Sequence, residues 1–249
     1  MILKPSLEIW EQLHHTSFPS VPNCWEKCGG GFCCNNRHEL VKFRAIPSGR
    51  QSFPVMNGEY AYLHDAKSLG PEMISNTRTM STVLSNGKTV SAHMVTCSQG
   101  GRCFSWEQRP LICKIYPFVP IPDLDGNITG FEVGSVFDIM FHLAGIPSPC
   151  AVLEGDCAQL KEKMKDEIGF IFTMPYFIFY FRAFGIIADQ LRKGFSENYT
   201  GLPSADYPKF FREFEILYMS QKVFSKENIK NELENLYSEL EKKYGEFEI

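Results

Sequence analysis

The chain has 249 residues of ordinary globular composition, 44% hydrophobic and 22% charged, enough for one large domain or two small ones around a full core. Its formal net charge of -4 leaves no overall basic field for nucleic-acid phosphates or an anionic membrane surface, so neither is expected as a partner. What departs from the average is an aromatic content of 21 Phe, 10 Tyr and 3 Trp, together with nine cysteines in tight groups.

Met1 to Ser6 carries no apolar run or small-residue cleavage site of a secretory signal, so a cytoplasmic location is expected. Ser6 to His15 reads as a short amphipathic helix closed by Phe18-Pro19-Ser20-Val21-Pro22. Val41, Phe43 and Ala45 alternate with Lys42 and Arg44 as in a half-buried strand, which Pro47-Ser48-Gly49 breaks. Glu59 to Leu69 reads as a helix. Val90, Ala92, Met94 and Thr96 alternate again, a strand that delivers the chain to Cys97, with Ser85-Asn86-Gly87 as a hairpin turn before it. Pro117, Pro120, Pro122 and Asp125-Gly126-Asn127 predict a long irregular connection. A helix over Gly134 to Ala144 follows and is stopped by Gly145-Ile146-Pro147-Ser148-Pro149. From about residue 158 the chain has no cysteine and reads as helical. Gly169 to Phe181 is its most apolar stretch, but it is well short of the ~20 residues needed to cross a bilayer, so no membrane span is expected. It fits a buried aromatic helix or strand. Ile229, Leu233, Leu236, Tyr237 and Leu240 repeat at helical spacing, with the charges off that stripe. The predicted fold class is α+β, an irregular cysteine-rich metal-binding region over 1–157 with short strands, packed against a mostly helical region over 158–249.

Cys24-x3-Cys28-x4-Cys33-Cys34 surrounds Gly29-Gly30-Gly31; Cys97-x5-Cys103-x9-Cys113 and Cys150-x6-Cys157 follow. Disulfides would need an oxidising compartment, against the expected location. Isolated buried cysteines behave as small hydrophobes, which accounts for single positions and not for a cluster. A metal accounts for it: zinc and iron take several thiolates at ~2.3 Å, and short glycine-containing spacers let the backbone turn them onto one centre. The candidate ligands are Cys24, Cys28, Cys33, Cys34, Cys97, Cys103, Cys113 and Cys150, enough for two four-sulfur sites, with Cys157 outside the set. Cys33 and Cys34, being adjacent, point to different sides and suggest two centres, or one ligand and one neighbour. Spacing alone leaves zinc and iron-sulfur open. The histidines fall into no ligand spacing, and His38 is the one accessory candidate. Arg109 can donate to thiolate sulfur and offset the charge of a cysteine-rich centre, a salt bridge with Glu107 being the competing role. Tyr116 reads as packing.

Cys24, Cys28, Cys33-Cys34, Gly101-Arg102-Cys103 and Arg109-Pro110-Leu111-Ile112-Cys113-Lys114-Ile115-Tyr116-Pro117-Phe118 together resemble the CxxCxxCC cysteine-cluster family of zinc- or iron-chelating proteins, which includes YkgJ-type proteins and flagellin lysine N-methylases. The resemblance runs from about Asn23 to Cys157, and the first group here has longer spacers than the family name states. It implies a multi-cysteine zinc or iron centre and, on the methylase side, a 4Fe-4S cluster used alongside S-adenosylmethionine. Dinucleotide, P-loop and nucleophile-elbow motifs are absent from the sequence. Two functions of different class are therefore expected. One is a cytoplasmic metal-binding protein with a multi-cysteine iron-sulfur or zinc centre. The alternative is an S-adenosylmethionine-dependent protein lysine N-methyltransferase acting on a protein substrate or partner.

Overall fold

A computed structural model describes residues 2–16, 18, 33, 51–97, 107, 109–148, 150–198 and 206–249, and elements are numbered here among those residues. The first helix, α1 (Leu7–His15), is capped by Ser6, whose hydroxyl accepts the Ile9 N–H, and it buries Trp10, Leu13 and His14. Next come β1 (Ser52–Met56), α2 (Asn57–Asp65), α3 (Pro71–Ser75), β2 (Arg78–Val83) and β3 (Thr89–Thr96). The strands form an antiparallel sheet in the order β1-β3-β2, with Val55 opposite His93 and Met80 opposite Ala92. The expected hairpin before Cys97 is present, and Gly87 at φ 82 supplies its left-handed turn residue. Helix α2 ends at Asp65, short of the predicted Leu69. Lys67 takes φ 54 there, and the Ser68 N–H turns back onto the Leu63 carbonyl. The strand predicted around Val41 to Ala45 lies outside the described residues.

A helix of five residues, α4 (Leu111–Ile115), leads into β4 (Phe118–Pro122) and β5 (Ile128–Val133), which form a two-stranded antiparallel hairpin. An irregular connection was the expectation here, because Pro120 and Pro122 remove backbone donors. In a two-stranded sheet every strand is an edge, and a proline can sit where its missing N–H faces outward. Pro120 lies opposite Phe131, and the register shifts between Ile121 and Pro122. The Asp123 carboxylate accepts the N–H groups of Asp125 and Asn127 at 2.8 and 2.9 Å, closing the turn around Gly126.

Helix α5 (Val136–Leu143) is followed by Gly145 at φ 68. After a 3-10 turn (Ala151–Glu154) come α6 (Cys157–Ile168), a second 3-10 turn (Gly169–Thr173), α7 (Pro175–Asn198), α8 (Tyr207–Met219) and α9 (Lys226–Tyr244). Pro175 opens α7, where the missing N–H would be unpaired in any case. Tyr176, Phe177, Ile178, Phe179 and Phe181 are buried in it, so the apolar stretch is a core helix. No described helix is long and apolar enough to cross a membrane. The described residues thus make an α+β fold. Its largest apolar cluster joins Trp10, Leu13, Leu111, Ile115 and Phe118 to Ile171, Phe177, Phe179, Leu236 and Tyr237, so the core runs across residue 158. A second cluster lies between α5, α7 and α8, and a third holds Phe53, Val55, Leu63, Val95 and Cys97.

Candidate functional site

Of the eight candidate ligands, Cys24, Cys28, Cys34 and Cys103 lie outside the described residues. Cys97 is buried, while Cys33, Cys113 and Cys150 are half-buried. Cys97 follows β3, its N–H bonded to the Gln51 carbonyl at 2.8 Å, and its side chain belongs to the third apolar cluster. Cys113, in α4, packs against that same cluster. Tyr116, the residue just past α4, has its hydroxyl within electrostatic reach of both Cys33 and Cys150. Of the four described candidates, Cys97 and Cys113 thus meet at the third apolar cluster, while Cys33 and Cys150 lie within electrostatic reach of the Tyr116 hydroxyl. Among the described residues no group of three or more His, Cys, Asp or Glu side chains could hold a metal by itself. Cys157 stands apart, its thiol donating to the Leu153 carbonyl at 3.6 Å.

The segment is tied at its start by a buried polar cluster. Glu59, from α2, accepts the Leu111 N–H on Oε1 at 2.5 Å, satisfying a donor that α4 cannot satisfy internally. His14 Nε2 lies 3.4 Å from the same oxygen, and His14 Nδ1 donates to the Glu107 carbonyl at 3.1 Å. The Lys114 ammonium donates to the His14 carbonyl. His14, Glu59 and Lys114 are each 1% exposed. Burial pulls the Lys114 ammonium down to about 8, against the opposing pull of Glu59 and Glu107 and with added repulsion from Arg109. Arg109, half-buried, thus lies close enough to Lys114 for their charges to interact.

At its end the segment meets a second network. Tyr116 donates its hydroxyl to Asp138 Oδ1 at 3.0 Å, Ser148 donates to the same oxygen at 2.8 Å, and Ser135 donates to Oδ2 at 2.6 Å. Burial pushes the Asp138 carboxyl up while the three hydroxyls hold it down. Burial, Asp138, Cys33 and Cys150, in that order, push the Tyr116 hydroxyl well above its ordinary range. The hairpin closes tightly over this tyrosine: a Cβ on Gly134 would come within 2.6 Å of the Tyr116 ring.

Sequence reading placed Tyr116 in the packing and singled out neither Asp138 nor Glu59. Two signals in the sequence mark Asp138, and neither marks Glu59. Ser135-Val136-Phe137-Asp138 has capping-box spacing, and the Ser135 hydroxyl does accept the Asp138 N–H at 3.2 Å. Asp138 and Lys114 also stand as charges inside otherwise apolar runs, where only a partnered charge is tolerated.

A cleft of about 80 Å³ adjoins the first network, lined by Glu59, Leu111, Ile112, Ile115, Tyr180 and Phe181 among others. Compared with known proteins, the chain matches no family model, no curated protein and no solved structure.

Proposed function

We propose that the protein is a cytoplasmic metal-binding protein whose cysteines hold a zinc or iron-sulfur centre. One observation carries this reading: Cys113 packs on the cluster that holds Cys97, while Cys33 and Cys150, from the other two groups, lie within electrostatic reach of Tyr116, three residues after Cys113. Metal ligation needs such convergence, whereas isolated buried cysteines do not. The charges nearby fit the same chemistry. Four thiolates around a divalent ion carry net negative charge, and burying it calls for compensating cations or donors. Arg109, four residues before Cys113, carries a planar fork that can donate to thiolate sulfur. The resemblance of Arg109 to Phe118 to the cysteine-cluster family adds to this support.

The test is anaerobic purification under reducing conditions, with zinc and iron counted per chain and the optical spectrum recorded. About one or two zinc, or about four to eight iron with visible sulfur-to-iron absorbance, are expected per chain. Cys113→Ser and Cys150→Ser are each expected to lower that content. A folded parent chain that takes up neither metal on anaerobic reconstitution refutes the reading.

A further inference from the structure

We propose that Asp138 is a positioning residue that locks the Cys150 loop to Tyr116 and so sets the geometry of the cysteine centre, an inference that rests on the metal-binding reading above. Its carboxylate is a hub between segments distant in sequence. Oδ1 accepts from Tyr116, three residues after Cys113, and from Ser148, two residues before Cys150. Oδ2 is held by Ser135, which caps the helix that carries Asp138. The side chain is therefore oriented by its own helix and offers one oxygen to the ends of both cysteine-bearing segments.

The surroundings leave this hub little freedom. Asp138 is 4% exposed. The chain between it and Ser148 doubles back at Gly145, where the Ile146 N–H bonds to the Phe141 carbonyl at 3.0 Å. The Ser148 hydroxyl closes that reversal onto the start of α5. On the other side, the Tyr116 ring is confined by the close approach of Gly134. Capping alone would not explain the arrangement. An acid in the first turn of a helix ordinarily meets solvent and the helix's own N–H groups, whereas this one is buried and spends one oxygen entirely on non-local hydroxyls. Cys33 and Cys150 both lie within electrostatic reach of the Tyr116 hydroxyl that Asp138 holds.

What the hub needs is an acceptor in a fixed place, and an amide oxygen supplies one. Asp138→Asn keeps an oxygen for Tyr116 and Ser148 and turns an NH2 donor toward the Ser135 hydroxyl, which can accept it. Asp138→Ala removes the hub, and Ser148→Ala cuts only the tie to the Cys150 loop. Two readouts decide the matter in the full chain. One is the rate at which bound metal passes to excess chelator. The other is the rate of iodoacetamide labelling at Cys150 after metal removal, read by mass spectrometry against Cys157 in the same molecules. Asp138→Ala and Ser148→Ala are expected to release metal about tenfold faster, as for lost supports of metal ligands generally, and to label faster at Cys150 but not at Cys157. Asp138→Asn is expected to stay close to the parent on both. Should Asp138→Ala fail to fold, Ser148→Ala decides alone. Folded variants with parental release and labelling overturn the proposal, as does an Asp138→Asn variant impaired as much as Asp138→Ala, which would assign the effect to charge. If the parent binds no metal, the metal-binding reading falls, and the Cys150 to Cys157 labelling ratio still upholds or overturns the lock.

Discussion

Substituting alanine for two glycines of one helix is expected to change stability in opposite directions. Gly194 and Gly185 both lie in α7, and in an otherwise open helix Gly→Ala gains about 1 kcal/mol of helix propensity. At Gly194 an added Cβ would stand 1.6 Å from the Val223 carbonyl oxygen and 2.4 Å from its carbonyl carbon. Both are backbone atoms and cannot rotate away. Relief requires α7 and the chain at Val223 to part by more than an ångström, in a cluster where Val223 is 1% exposed and the neighbouring Phe195 stacks on Phe214 at 3.9 Å. Overpacking a core costs about 1–3 kcal/mol where side chains can adjust, and a backbone obstacle places this case at or above the upper end. After subtracting the propensity gain, Gly194→Ala should lose at least about 2 kcal/mol, a fall of roughly 4–8 °C in Tm for a chain of this size. At Gly185 the nearest atom is Ile121 Cδ1 at 3.3 Å, the far end of a flexible side chain. Gly185→Ala should therefore be neutral or stabilising by up to about 1 kcal/mol. Thermal and urea denaturation of the two variants beside the parent provide the measurement. A Gly194→Ala protein as stable as the parent, or equal shifts at both sites, would refute the close approach of α7 to Val223.

Glu59→Ala should cost about 3–5 kcal/mol in urea denaturation, because it strands the buried Leu111 N–H and removes the carboxylate that faces Lys114; a loss below about 1 kcal/mol would argue against the buried cluster. Burial pushes the Tyr180 hydroxyl up to about 12. With the folded value above the unfolded one, the stability it contributes is complete below about pH 10 and declines as pH rises toward 12, by about 1 kcal/mol between pH 9 and pH 11. Tyr180→Phe should remove that part of the pH dependence, and an unchanged slope in urea titrations at the two pH values would count against it. Arg109→Lys and Arg109→Ala should both lower the metal content of the purified chain, since lysine keeps the charge but loses the planar fork, whereas Arg102→Ala should not; equal metal in all three would assign Arg109 a different role.

The β2–β3 hairpin was legible in the sequence because Val90, Ala92, Met94 and Thr96 alternate and Gly87 marks the turn. Local pattern and local structure agree there. The β4–β5 hairpin was not legible, because Pro120 and Pro122 argue against a strand unless it is known to be an edge, and that depends on the rest of the sheet. The end of α2 was misplaced by the left-handed Lys67, a conformation in which lysine gives no signal of its own. The candidate site divides in the same way. Cysteine spacing is a local property and singles out the candidate ligands. The tie between Leu111 and Glu59, 52 residues apart, and that between Tyr116 and Asp138, 22 apart, depend on burial and tertiary proximity. Spacing cannot encode those.

The same division bears on what holds Cys113 in place. A five-residue helix has no stability of its own, since nucleation is costly and α4 completes little more than one turn. Leu111 and Ile115 anchor it in the core, but apolar contacts tolerate sliding by fractions of an ångström. The polar ties do not: Glu59 grips the first N–H, Lys114 reaches the His14 carbonyl from the middle, and Tyr116 is held by Asp138 at the end. Each is directional and buried, so a shift that broke it would leave an unpaired polar group in the interior at about 1–3 kcal/mol or more. A metal ligand at Cys113 would have to be held to within about 0.5 Å, and three directional ties along six residues are a means of reaching that tolerance where packing alone would not. The positioning of Cys113 therefore resides in α1, α2 and α5, outside every cysteine motif.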